Sequence, residues 1–491
     1  MGVYGDVGVV VLVALGMAML YISYISTGLT PLYQVGLAVA SMIGVGIAIT
    51  WIKSLTGAYG AYMIGGKRGI GLIEGLSRSH HGFWEAMAMW GLVLGFGLIT
   101  YPLLRGRVDR KIYLFGIASI MVTVAVLTPN FTLALQLIQL PQLQTAVNAS
   151  LSAQGSQAAL NARLIETGIG AVVGFSGYII VALLTNAAFI LLGVAHYILS
   201  ILQGAPQISS VTGQIPSVAP LLPGIDIPLV PGILALAFIL VVHEFSHGVL
   251  SKMYGVKIKS IGMLLFGVLP MGAYVEPDEK KVNRLDSLKQ SKIFSAGIAA
   301  NFIFALVFFI PFLLAATYLM PAVMVPGGVY ITNTIKGYPA AMSGVQDGSK
   351  IISWNGYNVS NITAFETFAM ASEKPNSIVQ LDTDRGNYTL NEMQNASNHS
   401  IWRIGIVVAY VPSTPGKGLI DQIGFNVYAT IAFLFLLNFL VAVVNYLPIP
   451  GFDGWRIYKA NVKNGKLVTC LSLLVVAGFV LGAVPLLANY L

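Results

Sequence analysis

Eight stretches of this chain, near residues 7–27, 33–52, 84–104, 112–128, 232–252, 293–320, 423–447 and 467–489, stay apolar long enough to cross a bilayer. A helical crossing takes about 20 such residues. Residues 167–202 add a run too long for one ordinary span, so nine or ten crossings are expected and the parity of that segment stays open. Only 9% of the residues are charged, where soluble domains carry roughly 25%. The expectation is an all-α polytopic membrane protein with the lipid bilayer as its solvent. A net charge of +8 would suggest nucleic acid in a soluble protein. Here the Lys and Arg gather in short loops between apolar runs, as the positive-inside rule expects, so no nucleic-acid partner is implied.

The loops set an expected topology. Residues from Met1 to Tyr24 lack a basic start and a small-residue cleavage site, so they read as a retained span. The connection from Lys53 to about Phe83 is polar, and its adjacent His80 and His81 read as solvated loop residues because neighbouring rings diverge on a helix. Arg105, Arg107, Arg110 and Lys111 place the next connection in the cytoplasm, as do the eight Lys and Arg between Gly248 and Lys292. Residues 129–165, with acceptor triplets at Asn130 and Asn148, read as external. Residues 203–230 hold five prolines and the single charge Asp226, and read as an external linker without a helix. One cysteine, Cys470, excludes an intrachain disulfide and a thiolate metal site. Such low cysteine content suits a prokaryotic cell membrane, an archaeal one included.

Near the end of the run that opens at Pro231 stands His243-Glu244-Phe245-Ser246-His247, an H-E-x-x-H pattern. On a helix the i, i+4 spacing puts both imidazoles on one face, able to close on a single metal ion with Glu244 beside it. That is the geometry of a zinc hydrolase. The bland alternative is a chance pattern whose side chains neighbouring helices satisfy. Ionisable groups inside an apolar span cost about 2.5–3.5 kcal/mol each, so three in five positions call for a compensating interaction such as a metal. His196, alone in an apolar run, reads as a packed core histidine.

Downstream, residues 261–276 are apolar but broken by Gly and Pro, and read as a re-entrant β-hairpin, tolerated at membrane depth only where protein or a wet cavity covers it. A partly unpaired strand beside a protease centre is a template for an extended peptide. Residues 325–412 change to short alternating runs with acceptor triplets at Asn358, Asn361, Asn387, Asn395 and Asn398, which reads as a water-exposed β-rich module outside the membrane. After the next apolar run the chain carries Asn445, Pro448, Pro450, Asp453 and Gly454. A carboxylate after a double-proline break can turn inward as a third ligand, and catalytic zinc keeps its fourth position for water. The lesser alternative for Asp453 is a helix N-cap or turn residue. The His, His, carboxylate set also suits iron or cobalt.

At these residues the chain resembles the site-2 protease family of intramembrane zinc metalloproteases. The family pairs H-E-x-x-H with N-x-x-P-x-P-x-x-D-G, matched from Asn445 to Gly454 with Phe452 where Leu is usual, and carries an intervening G-x-x-x-N, matched by Gly297 and Asn301. The resemblance implies Zn2+ held by His243, His247 and Asp453, Glu244 as the catalytic acid and base, and Asn445 and Asn301 at the substrate, with the alternative that these two amides satisfy main-chain carbonyls freed by Pro448. It implies regulated cleavage of a transmembrane segment of another protein already trimmed by a different protease. The inserted module looks like a PDZ domain over residues 340–356, although Ser349 replaces the customary Asp after Gly348.

The expected organisation is therefore an N-terminal region of accessory helices (1–230), a first catalytic half (231–321), a small α+β or β-rich PDZ-like module (322–415) and a second catalytic half (416–491). The active site faces the cytoplasm and the module faces outward. A membrane zincin with Glu as third ligand is a weaker expectation, because Glu276 and Glu279 lie in the basic connection. A transporter or a non-proteolytic receptor or scaffold is the other alternative, although no repeat relates the two halves.

Overall fold

The computed structural model is mostly helical. It describes residues 3–25, 31–127 except Thr56 and Arg68, 157–204, 207–212, 226–325, 327–359, 377–394, 402–411 and 414–488, with scattered positions between. Acceptor triplets at Asn148, Asn361, Asn395 and Asn398 lie outside the described residues. Eight helices among the described residues are long and apolar enough to cross a membrane, and a shorter apolar stretch, Val7–Ile22, adds to them. This is a multi-pass integral membrane protein. It divides into two compact units, Met1–Leu314 with Asn426–Leu491, and Ala315–Phe425.

In the first unit the chain forms α1 (Val3–Ile25), α2 (Pro31–Lys53), the short strands β1 (Gly57–Ala58) and β2 (Ala61–Gly66), then α3 (Ile70–Arg78), α4 (His81–Phe96) and α5 (Arg110–Val122). The long run becomes one 46-residue helix, α6 (Gln157–Leu202), interrupted at Gly174, where φ is 68°. A side chain there would collide with the Gly95 carbonyl of α4, so the break lies where the two backbones cross. In the linker a single helical turn forms at Ser209–Thr212. His196 sits on the outer surface of α6 and not in a core, because the buried stripe of that helix falls on other residues, such as Ile180, Leu183, Ala187 and Ile190.

The centre of this unit is built from α4, α7 (Leu229–Met253) and the later helix α8 (Ser287–Leu314), each packed on the next. Ten consecutive residues of α4, Met87 to Phe96, are buried. Between α7 and α8 the chain forms the strands β3 (Ile258–Phe266) and β4 (Leu269–Pro277), an antiparallel hairpin. Gly267 opens its two-residue turn at φ 57°, a conformation such turns need at their first central position.

The Lys53–Phe83 connection is not all solvated loop, because β1 and β2 extend this hairpin into a sheet of order β1-β2-β3-β4. Gly65, Gly262 and Tyr274 lie in one cross-strand row. A side chain on Gly65 would strike the Tyr274 hydroxyl and one on Gly262 the Ile64 carbonyl, so the glycines leave room for the ring. Tyr62 donates to the Gly267 carbonyl at 2.9 Å, and Gly267 N–H donates to the Gly60 carbonyl at 3.0 Å, which ties the two turns together.

Basic connections gather at one end of the unit. Arg107 reaches Asp286 at 3.6 Å and donates to Ser287 Oγ at 3.0 Å, Lys252 pairs with Glu74, and Arg456 lies 3.3 Å from Glu279. His80 and His81 are exposed at the start of α4, with His80 at φ 53°.

The second unit is β-rich. The strands β5 (Gly328–Thr334), β6 (Ile351–Trp354), β7 (Tyr357–Asn358), β8 (Ile378–Thr383), β9 (Gly386–Asn391) and β10 (Ile406–Val411) form a sheet of order β9-β8-β6-β7 and a β10-β5 pair. They enclose their own core, in which Val329, Ile331, Val379 and Leu381 are fully buried and Trp354 packs edge-on to Phe365 at 5.3 Å. Ser349 is buried in this unit with no partner for its hydroxyl among the described residues. The chain then forms α9 (Leu419–Asn445), α10 (Asp453–Asn461) and α11 (Gly465–Gly482).

The β2–β3 register is directly testable. With Cys470 replaced by Ser, Ile64→Cys and Met263→Cys stand opposite each other, within the range a disulfide spans. Mild oxidation is expected to cross-link that pair, and Ile64→Cys with Ile258→Cys is not expected to link, as judged by gel mobility after cutting the chain between them.

Candidate metal centre

The helix α7 opens behind Pro228 and carries Pro231 within its first turn, where a missing N–H costs nothing. Its buried residues include Ala235, Ile239, His243, Ser246 and Leu250, spaced by three or four and therefore on one face. That stripe packs on α8. The spacing that defines the buried face of α7 thus also carries His243 into the interior.

Two imidazoles and one carboxylate meet there. His243 Nε2 lies 3.0 Å and His247 Nε2 3.1 Å from Asp453 Oδ2, and the two ring nitrogens are 3.1 Å apart. The rings stand at 84° to each other. Their side chains and that of Asp453 keep only 9%, 11% and 14% of their surface, so bulk water does little to stabilise them. Among the described residues these three form the group able to hold a metal ion. Zinc bonds of 2.0–2.1 Å in a tetrahedron separate neighbouring donors by about 3.3 Å, and the observed triangle is close to that edge. The donor set and its spacing fit a divalent cation of the zinc type.

Asp453 reaches the triangle because the chain stops being helical after Asn445 and restarts at α10. Pro448, Pro450 and Gly451, the last at φ 102°, occupy the gap. Asp453 is the first residue of α10 and Phe452 its cap, with no side-chain capping bond. From this first turn the carboxylate reaches both imidazoles. With no cation between the groups, burial by itself would raise its pKa, but a positive charge on His247 and hydrogen bonds from both rings outweigh this and hold it below the usual carboxylate range; a bound cation would take over that part from the rings. Glu276 and Glu279 are engaged elsewhere, Glu276 with Ser260 and Lys259 and Glu279 with Arg456.

Glu244, half-buried beside the triangle, accepts from the Val275 N–H at 3.2 Å. Val275 belongs to β4, the edge strand of the sheet. The glutamate thus lies between the candidate centre and a strand edge. Asn445 is half-buried at the end of α9, with Nδ2 donating to the Val441 carbonyl at 2.9 Å. Asn301 is fully buried with its amide 3.1 Å from His243 Nδ1, because its position on α8 lies behind the histidine.

Gly297 is a residue whose part in the site the motif alone did not explain. A side chain there would come within 2.5 Å of His247 Nε2 and 2.9 Å of His243 Cδ2. Tyr446 is another: fully buried, it donates to the Gly91 carbonyl of α4, and its own carbonyl accepts from Ser176 of α6 at 3.0 Å. Its place inside the proline-rich motif was the available signal.

The family model for peptidase family M50 matches residues 231–481, just over half the chain, and includes all three members of the triangle. An uncharacterized protein of Methanocaldococcus jannaschii is 33% identical over 235 residues, 48% of this chain and 58% of the relative. A Clostridium perfringens protein named provisionally as a zinc metalloprotease is 23% identical over 46% of this chain and 85% of its own length. The chain thus spans little more than half the length of the archaeal relative.

Gly297→Ala separates packing from ligation. A helical Gly→Ala change alone adds up to about 1 kcal/mol of stability, whereas here the methyl enters the space between the rings. The expected result is a melting temperature unchanged or lowered by the overlap, with at least about tenfold weaker zinc binding, measured by thermal unfolding and metal analysis of protein purified in detergent.

Proposed function

The chain belongs to peptidase family M50, and from that premise we propose that it is a zinc-dependent intramembrane endopeptidase that cuts transmembrane segments of other membrane proteins. The observation that carries the reading is the convergence of His243 and His247 with Asp453, 210 and 206 positions further along, in a protein with eight helices suited to a bilayer. Zinc bound there would supply a water of pKa near 7 and polarise the scissile carbonyl. Glu244 takes the water proton and passes it to the leaving amine. Asn445 holds the developing oxyanion once it leaves the Val441 carbonyl.

A helical substrate hides its carbonyls in its own hydrogen bonds, so it must unwind before attack. The β4 edge offers replacement main-chain partners to an unwound segment, next to Glu244. Met263, Leu264 and Met271 on the β3–β4 hairpin expose large apolar surfaces, which supports a re-entrant element that dips into lipid. Basic loop charges favour a cytoplasmic centre, with release of a soluble fragment inward. The β-rich second unit is read as a PDZ-like module outside the membrane. It limits cleavage to substrates first trimmed by another protease, as in regulated intramembrane proteolysis.

The decisive assay uses full-length protein in detergent with a model transmembrane substrate and parallel zinc analysis. Native protein should cleave, and Glu244→Gln should lose roughly 10²–10⁴-fold in rate while retaining zinc. A native protein that binds zinc and cleaves none of several substrates would overturn the protease reading in favour of a receptor or scaffold.

A further inference from the structure

Both imidazoles of the triangle turn their second nitrogen toward α8, at positions about two turns apart. His247 Nδ1 is 2.7 Å from the Ile293 carbonyl. A carbonyl only accepts, so Nδ1 carries the hydrogen and a neutral ring presents its Nε2 lone pair to the triangle. His243 also places Nε2 in the triangle. To act as a ligand it needs the same arrangement: a hydrogen on Nδ1 and an acceptor facing it.

The group facing it is the Asn301 amide, with Nδ2 at 3.1 Å. Asn301 has no exposed surface, which separates it from any substrate. Its Oδ1 is buried without a hydrogen-bond partner among the described residues, a costly state for a carbonyl. A half-turn of the amide about Cβ–Cγ keeps its outline and exchanges the two atoms. Oδ1 then lies against Nδ1.

We propose that Asn301 is a positioning residue that accepts the His243 Nδ1 hydrogen through Oδ1, fixing the tautomer that leaves Nε2 free for the cation. The inference rests on the metal-centre reading above and moves Asn301 from the substrate to the ligand shell. Gly297 and Asn301 then act as a unit: one makes room for the rings, and four residues on, the other holds a ring in place. Ligand-orienting partners of this kind are worth about 10–100-fold in metal affinity.

The test uses full-length protein in detergent, stripped of metal and titrated with Zn2+ against a chromophoric chelator, and then with Co2+ to record its absorption bands. Asn301→Ala is expected to bind zinc about 10–100-fold more weakly with an unchanged apo melting temperature. Asn301→Asp, which can only accept when ionised, should stay within about threefold of native affinity with the native Co2+ spectrum. Native affinity in Asn301→Ala would overturn the proposal and leave the protease reading intact. So would Asn301→Asp as weak as Asn301→Ala, because that marks the amide as a donor. Should Asn301→Ala fail to purify folded, Asn301→Asp decides between the same two answers. Failure of the native chain to take up zinc would instead sink the metal-centre reading, and this inference with it.

Discussion

Close packing of α7 on α8 is the contact on which the rest of the site depends. Two imidazoles need space, fixed tautomers and a counter-charge, all without help from bulk water. Gly297 gives the space, since any side chain there would overlap both rings. The Ile293 carbonyl and the Asn301 amide face the two Nδ1 atoms. Asp453 brings the charge from the far side. One helix pair therefore satisfies the back of the cluster while a third element closes its front.

That arrangement is buttressed by residues well outside the span matched to the peptidase family. Ser295 of α8 donates to the Ala88 carbonyl of α4 at 3.0 Å, and Gly91 leaves room for the Ser295 hydroxyl. Tyr446, seven residues before Asp453, is held by α4 through the Gly91 carbonyl and by Ser176 of α6. Hydrogen bonds like these contribute about 1 kcal/mol each, yet their position matters more than their size. They fix the segment that must deliver a carboxylate to within ordinary bonding distance of two rings. Described elements within the first 230 residues, a region expected to hold accessory helices, thus support the centre directly, and their β2 completes the sheet whose edge strand meets Glu244.

Much of the helical fold was legible because apolar runs near 20 residues leave the backbone few other choices in lipid. The hairpin at 258–277 was legible for a related reason: Gly267, Pro270 and Gly272 interrupt an apolar stretch that would otherwise continue as helix. The pairing of β2 was not. Four of the ten residues from Gly57 to Gly66 are glycine, a composition that reads as loop. Gly65 acquires a purpose only when Tyr274, more than 200 positions away, lies across it. His196 shows the converse error, since an apolar neighbourhood in sequence does not say which side of a helix turns inward.

The sequence by itself determined which groups could do chemistry. Spacing of four on one helix places His243 and His247 together whatever surrounds them, because the helical repeat is local. A double-proline break before Asp453 ends a helix for equally local reasons. Tertiary structure alone decided that the carboxylate meets the rings, that the Asn301 amide faces His243, and that Glu244 touches a strand edge. Each of those outcomes joins segments separated by tens to hundreds of residues, where no periodicity carries information and only close packing of complementary surfaces selects the partner.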